Sequence, residues 1–151
     1  MKKKKTTFKH LDRHVCFRLY AVSRHVTQAY KPFLEPHGLT YPKYLVMLTL
    51  WENDGLKVSD ISQKLFLEPA TITPMLKKLE AQGFIERRRN AVDDRTVSSF
   101  VTKTGWQLLE KVKHVADDVF CQSSIDHKEG AKLETILDTL MTDYIPELSE
   151  K

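Results

Sequence analysis

Two thiols are the first residues in this chain that could do chemistry: Cys16, in "RHVCFRLYAVSRHVTQAY", and Cys121, in "DDVFCQSS". A cysteine reacts as its thiolate, which needs access together with hydrogen-bond donors or positive charge nearby. Around Cys16, Tyr20 falls one helical turn later on the same face, and His14 and Arg18 stand two residues to either side. Tyr30 and Tyr41 add phenols on either side of the connection "KPFLEPHGLT". A phenol donates a hydrogen bond to a thiolate without reacting with it. Apolar neighbours such as Phe17, Phe33 and Leu45 would favour organic over hydrophilic oxidants. On residue types alone two readings stand, because free cysteines are most often small buried hydrophobes without reactivity.

Other chemistries have thin support. His10 and His14 lie four apart, but no third and fourth ligand follows at useful spacing, so no metal site is expected. No glycine-rich phosphate loop, Ser/His/Asp set or paired-carboxylate arrangement stands out, and no cofactor is implied. A thiol peroxidase would be the enzymatic alternative, yet the chain has no C-x-x-C motif and no thioredoxin-like βαβ pattern. The expectation is therefore a protein that is not an enzyme.

The elements that must hold the thiols read as mainly helical. With 41% hydrophobic and 29% charged residues, five glycines and six prolines, the balance is that of a soluble protein with long stretches free to coil into helices. Of 24 basic residues four form Lys2–Lys5, and the remaining twenty are matched by 20 acidic ones. Any nucleic-acid surface must then be a local patch. "MKKKK" starts like a signal peptide, but no apolar run follows it. The expectation is a cytoplasmic protein without membrane contact, with residues 1–7 as a disordered basic arm and 8–151 as one domain.

Leu11, Val15, Leu19, Val22 and Val26 recur at helical spacing and predict one long helix from about Phe8 to Phe33, ended by Pro32, Pro36 and Gly38. Thr40 and Pro42 open a second helix, Tyr41 to Glu52, with Tyr44, Leu45, Leu48 and Trp51 on its buried side. A short helix from Val58 to Leu65 is followed, three residues later, by one opening at Pro69 and closing at Gly83. "FIERRR" and "TVSSFVT" read as strands around the polar tip "NAVDD". Helix, turn, helix and charged hairpin make a winged helix-turn-helix over about residues 40–102. Thr102 to about Ser123 and Lys128 to about Leu148 complete the chain as two long helices.

"PATITPMLKKLEAQG" separates into two faces. Ile72, Met75, Leu76 and Leu79 turn to the core, while Pro69, Thr71, Thr73, Pro74, Lys77 and Lys78 turn outward. Small hydroxyl-bearing residues suit base edges in the major groove, and ammonium groups suit phosphates. Arg87, Arg88 and Arg89 lead into the hairpin tip, and Arg95 leaves it after Asp93 and Asp94. An arginine at such a tip fits the narrow minor groove, and an aspartate can hold its guanidinium in place beforehand.

"DDRTVSSFVT" resembles the Asp-x-Arg wing signature of the MarR family of bacterial transcription regulators. "VCFRLYAVSR", "YKPFLEPHGLTYPKYLVMLTLWE" and "LFLEPATITPMLKKLE" are similar, more narrowly, to its organic hydroperoxide resistance repressors. Glu68-Pro69 stands where that subgroup more often has Asp-Ser, and Phe100-Val101-Thr102 where it has an aliphatic residue, Leu and Thr. The resemblance implies a homodimer joined by the N- and C-terminal helices, about 8–33 and 104–148, on double-stranded DNA with an inverted-repeat operator. It implies that Cys16 senses organic hydroperoxide, with Tyr30 and Tyr41 reaching it from the other subunit and Cys121 condensing with it across the dimer. A regulator released by phenolic or aromatic acids, with incidental cysteines, is the alternative.

Overall fold

The computed structural model describes residues 10–89, 97–145 and 148. The Lys2–Lys5 arm and the hairpin tip carrying Asp93 and Arg95 lie outside them. The single N-terminal helix expected from Phe8 to Phe33 is interrupted twice. A 3-10 turn spans Leu11–Arg13, His14 is extended, and α1 then runs Val15–Ala29. After Tyr30 a short helix, α2 (Lys31–Leu34), begins with Pro32 in its first turn. Pro32 thus opens a helix instead of closing one, because a missing N–H costs nothing where helical amides have no internal partner. The Tyr30 carbonyl accepts from the amides of both Phe33 and Leu34. The 3-10 turn also takes His10 and His14 off a common α-helical face.

A second 3-10 turn, Glu35–His37, leads through Gly38 to α3 (Tyr41–Glu52), whose bounds are those expected. β1 (Leu56–Lys57) precedes α4 (Val58–Leu65) and α5 (Pro69–Ala81), the helix-turn-helix pair. Gly83, at a φ of 75°, stops α5: its amide reaches the Glu80 carbonyl and the Phe84 amide that of Leu79. β2 (Ile85–Arg89) and β3 (Val97–Val101) form the wing. The sheet has three antiparallel strands in the order β1-β3-β2, with Leu56 opposite Ser99, Arg87 opposite Ser99 and Ile85 opposite Val101. The expected two-stranded hairpin therefore gains a strand, which at two residues is too short to show alternation in sequence.

The helix expected from Thr102 to Ser123 is two: α6 (Lys103–Val112) and α7 (Val115–Phe120). Leu108, Val112, Val115 and Val119 keep one helical spacing across the turn at Lys113–His114, so periodicity carries no sign of it. α8 (His127–Tyr144) starts at a reciprocal cap, in which Asp126 accepts from the Glu129 amide and Glu129 from that of Asp126. It stops short of the expected Leu148 because Ile145 is extended. The chain divides into two compact units, one ending at Ala116 and one beginning at Asp117.

In the first unit the core gathers on α3. Val46, Met47 and Leu50 have no exposed surface, and neither do Ile61, Ile72, Leu76 and Leu79 of α4 and α5. The expected single buried face is corrected: Leu45, Leu48 and Trp51 are only half-buried, because α2, α4, α5 and β3 pack on several sides of α3. Thr102 joins recognition helix, wing and α6. Its hydroxyl donates to the Gly83 carbonyl at 2.6 Å and accepts from the Gly105 amide at 3.1 Å.

At Gly105 a Cβ would lie 2.1 Å from the Phe84 backbone oxygen, and the Gly105 carbonyl accepts from the Trp51 indole at 3.1 Å. Gly105→Ala should destabilise the fold by about 1–3 kcal/mol, the usual scale of overpacking a tight core. A urea titration read by circular dichroism checks this; an unchanged midpoint would refute the close approach.

Candidate nucleic-acid interface and thiol positions

α5 carries the outward groups as its sequence suggests, with one change. Pro69, Thr71, Pro74, Lys77 and Lys78 are exposed, while Thr73 is half-buried and its hydroxyl donates to the Pro69 carbonyl at 2.9 Å. Thr73 therefore offers mainly its methyl group to a neighbour. Pro74 sits inside the helix without an N–H, so the Ala70 carbonyl loses its usual helical donor on this face. At the start, the Glu68 carbonyl receives the Thr71 and Ile72 amides, and the Glu68 side chain makes no capping bond.

The far end of α5 is tied to the turn before α3. Gln82 donates from Nε2 to the Gly38 carbonyl at 2.9 Å and accepts at Oε1 from Lys43 at 3.1 Å. Desolvation, helped by the positive charge of Lys78, pushes the Lys43 ammonium below its ordinary pKa. These residues carried no signal in sequence, since the clasp closes across 44 positions.

The wing arginines differ from one another. Arg87 is gripped by Glu80: Nε donates to Oε2 at 2.8 Å, Nη2 lies 2.7 Å from the same oxygen, and the Arg87 amide donates to Oε1 at 3.1 Å. The Arg87 hydrogen bond, ahead of other causes, holds the Glu80 carboxyl below its usual range. Arg88 is exposed, pairs with Glu86 and lies over the Phe100 ring at 4.9 Å. Asp54, which sequence reading passed over, accepts from the Gly55 and Val101 amides and pins the end of β3. An Asp before a Gly in a turn was the available signal.

Both thiols are exposed in the single chain, so neither is buried within it. Cys16 lies in the first turn of α1, a helix without a buried residue. Arg18 reaches back to the Asp12 carbonyl at 2.7 Å, and Tyr20 accepts from Arg24 at 3.3 Å. Tyr30 and Tyr41 come together instead at the other end of α1, ring centroids 4.7 Å apart, beside Tyr44. Burial raises the Tyr41 pKa, which keeps it a protonated donor at neutral pH. With a helical rise of about 1.5 Å per residue, Tyr30 stands roughly 21 Å along the helix from Cys16 in the same chain. Among the described residues no group of three or more His, Cys, Asp or Glu could hold a metal ion, and no helix is long and apolar enough to cross a membrane.

Comparison with known proteins gives this geometry an ancestry. The family described as "Transcriptional regulator SarA/Rot" matches residues 28–112. The organic hydroperoxide resistance transcriptional regulator of Bacillus subtilis (strain 168) is 39% identical over 131 residues, 87% of this chain and 89% of its own length. Reduced AbfR bound to DNA is similar at a TM-score of 0.72 and 34% identity, over 86% of this chain and 91% of that one. Disulfide-formed AbfR is similar at 0.65 and 33%, over 93% of both; AbfR comes from Staphylococcus epidermidis. The helix pair and wing, in this company, define a DNA-binding winged-helix transcription regulator. The chain belongs to the family of transcription regulators that includes the organic hydroperoxide resistance transcriptional regulator of Bacillus subtilis.

The lowered Glu80 pKa has a thermodynamic sign. The stabilisation from its ion pair is fully present above 4.5, its ordinary value, and is lost as pH falls through the lowered one. Glu80→Gln should flatten the acid limb of a melting-temperature profile below that pH while changing little of its slope above. A limb of unchanged steepness would mean that other carboxylates dominate it.

Proposed function

We propose that the protein represses transcription when reduced and leaves its operator when Cys16 reacts with an organic hydroperoxide. The thiolate attacks one peroxide oxygen, the O–O bond breaks, and the departing alkoxide takes a proton as alcohol. Cys16 is left as a sulfenic acid. Cys121 of the other subunit then attacks that sulfur, forming a disulfide and releasing water. The observation that carries the reading is the separation of Cys16 from Tyr30 along α1. Tyr30 and Tyr41, the phenols this reading gives to its thiolate, stand far away in their own chain, and in this reading a second copy brings them.

The apolar surfaces for such a copy are present in each unit. On α1, Val15 and Val22 are 65% and 61% exposed; on α8, Ile136 and Tyr144 are 58% and 80% exposed. Uncovered apolar stripes of this kind mark interaction surfaces. DNA contacts are assigned to Pro69, Thr71, Thr73, Pro74, Lys77, Lys78 and Arg88, with Arg95 in the minor groove and Asp93 orienting it. Tyr20 is a nearer phenol, one turn from Cys16. Disulfide-formed AbfR supports the redox step by analogy. Cysteines bridge only with Cα atoms within about 7 Å, and in this reading the helix movement that brings them together carries the winged lobes out of register. A second reading, release by an aromatic acid, draws on an open cleft of about 430 Å³ beside Tyr41 that Thr27, Lys31 and Leu39 help to line.

Operator mobility shifts, with DNA from upstream of the protein's own gene, test both. Cys16→Ser should keep binding and ignore cumene hydroperoxide, and Tyr30→Phe and Tyr41→Phe should blunt the response. The oxidised parent should run as a covalent dimer on a non-reducing gel, collapse with dithiothreitol, and lose the band in Cys121→Ser. Release by salicylate but not by peroxide would favour the cleft. Arg95→Ala should weaken operator binding by about 1–3 kcal/mol at matched salt, the scale of one specific contact. Parent-like affinity would remove Arg95 from the minor groove.

A further inference from the structure

Sequence pattern alone puts Arg87 among the DNA-binding residues, as one of three successive arginines leading into the wing tip. We infer instead that Arg87 is a positioning residue: clamped by Glu80, it fixes the wing at its angle to the recognition helix. The inference rests on the DNA-binding reading and adds a role within it. Glu80 stands in the last turn of α5 and Arg87 in the middle of β2, so the pair links the two elements that must meet DNA together. Both carboxylate oxygens are engaged, one by the Arg87 amide and the other by its guanidinium. The side chain and the main chain of Arg87 are thus held at once.

The backbone contact has its own logic. β2 is an edge of the sheet, where alternate N–H groups point away from the partner strand. The Arg87 amide is such a group, and Glu80 supplies its acceptor. The pair is also sheltered, with side chains 24% and 36% exposed, unlike the Arg88–Glu86 pair at 62% and 48%. Alternation along β2 turns Arg88 to the opposite face, over Phe100. One arginine is therefore anchored to the helix and the next stands over the neighbouring strand.

A phosphate contact and a strut respond differently to salt. Each protein cation that neutralises a phosphate adds about 0.9 to the slope of log affinity against log salt. A guanidinium already neutralised by a carboxylate adds none. The test uses reduced full-length protein, parent operator DNA, and the variants Arg87→Ala, Glu80→Gln and their combination. A positioning role predicts that each single variant weakens binding about tenfold, the scale of one charge-assisted hydrogen bond. The double variant should lose no more than either alone, and the salt slope should stay that of the parent. A slope reduced by about one unit in Arg87→Ala, with Glu80→Gln binding as well as the parent or better, would overturn the inference.

Hydrogen exchange without DNA gives a readout that does not depend on operator recognition. In Glu80→Ala, which removes the acceptor, the Arg87 amide should exchange faster while amides in α3 keep their protection. Unchanged exchange at Arg87 would overturn the strut even if every variant binds DNA alike. A parent that binds no DNA, with faster Arg87 exchange in Glu80→Ala, would overturn the functional role of the strut together with the DNA-binding reading. Arg87→Lys should recover part of the affinity lost in Arg87→Ala, because an ammonium can reach Glu80 with one contact but not with the guanidinium's fork.

Discussion

The winged lobe depends on the burial of α3. Its middle residues, Val46, Met47 and Leu50, have no exposed surface, and the helix pair, the wing and α2 all lean on it. Burying one such side chain is worth about 1.5–3 kcal/mol, and a helix enclosed on several sides can be moved only together with its neighbours. Trp51 and Thr102 extend this constraint through hydrogen bonds to α6 and to the loop after the recognition helix. The outward face of α5 and the wing are thereby mounted on one close-packed centre.

The thiol end of the molecule is built differently. Among the described residues α1 buries none of its own, and Cys16 stands exposed on it. Its length sets the phenols Tyr30 and Tyr41 at the far end, where they abut α3 through Tyr44. Cys16 near one end of α1 and the tyrosine rings at the other are thus joined by a single helix. Those rings meet α3, and Gln82 and Lys43 tie the turn before α3 to the end of α5.

Much of this was legible in the residues. α3 and α4 began and ended where capping and periodicity placed them, because Thr40-Tyr41-Pro42 and the polar segment before Val58 are strong local signals. The recognition helix was legible from Pro69 to its stop at Gly83, whose left-handed backbone needs no tertiary help. What failed were breaks that leave the apolar spacing intact, at His14, Tyr30 and Lys113–His114, and a strand of two residues. Among side chains, the outward face of α5 was clear, but the engagement of Arg87 and of the Thr73 hydroxyl was not. Both depend on which partner the folded chain brings near, and an arginine in sequence looks the same whether it awaits a phosphate or already holds a carboxylate.

The aromatic contacts described here also give the molecule an optical property. Tyr30, Tyr41, Tyr44 and Trp51 form a continuous file, each ring centroid within 6.4 Å of the next. At such separations light absorbed by any of the phenols is passed to the indole, whose emission follows its surroundings. Trp51 is half-buried and hydrogen-bonded through its ring N–H, whereas Trp106, the second indole, is more open to solvent. The file begins at the end of α1 opposite Cys16, so the colour and yield of Trp51 emission would report, without any attached dye, a shift of α1 against the centre of the lobe.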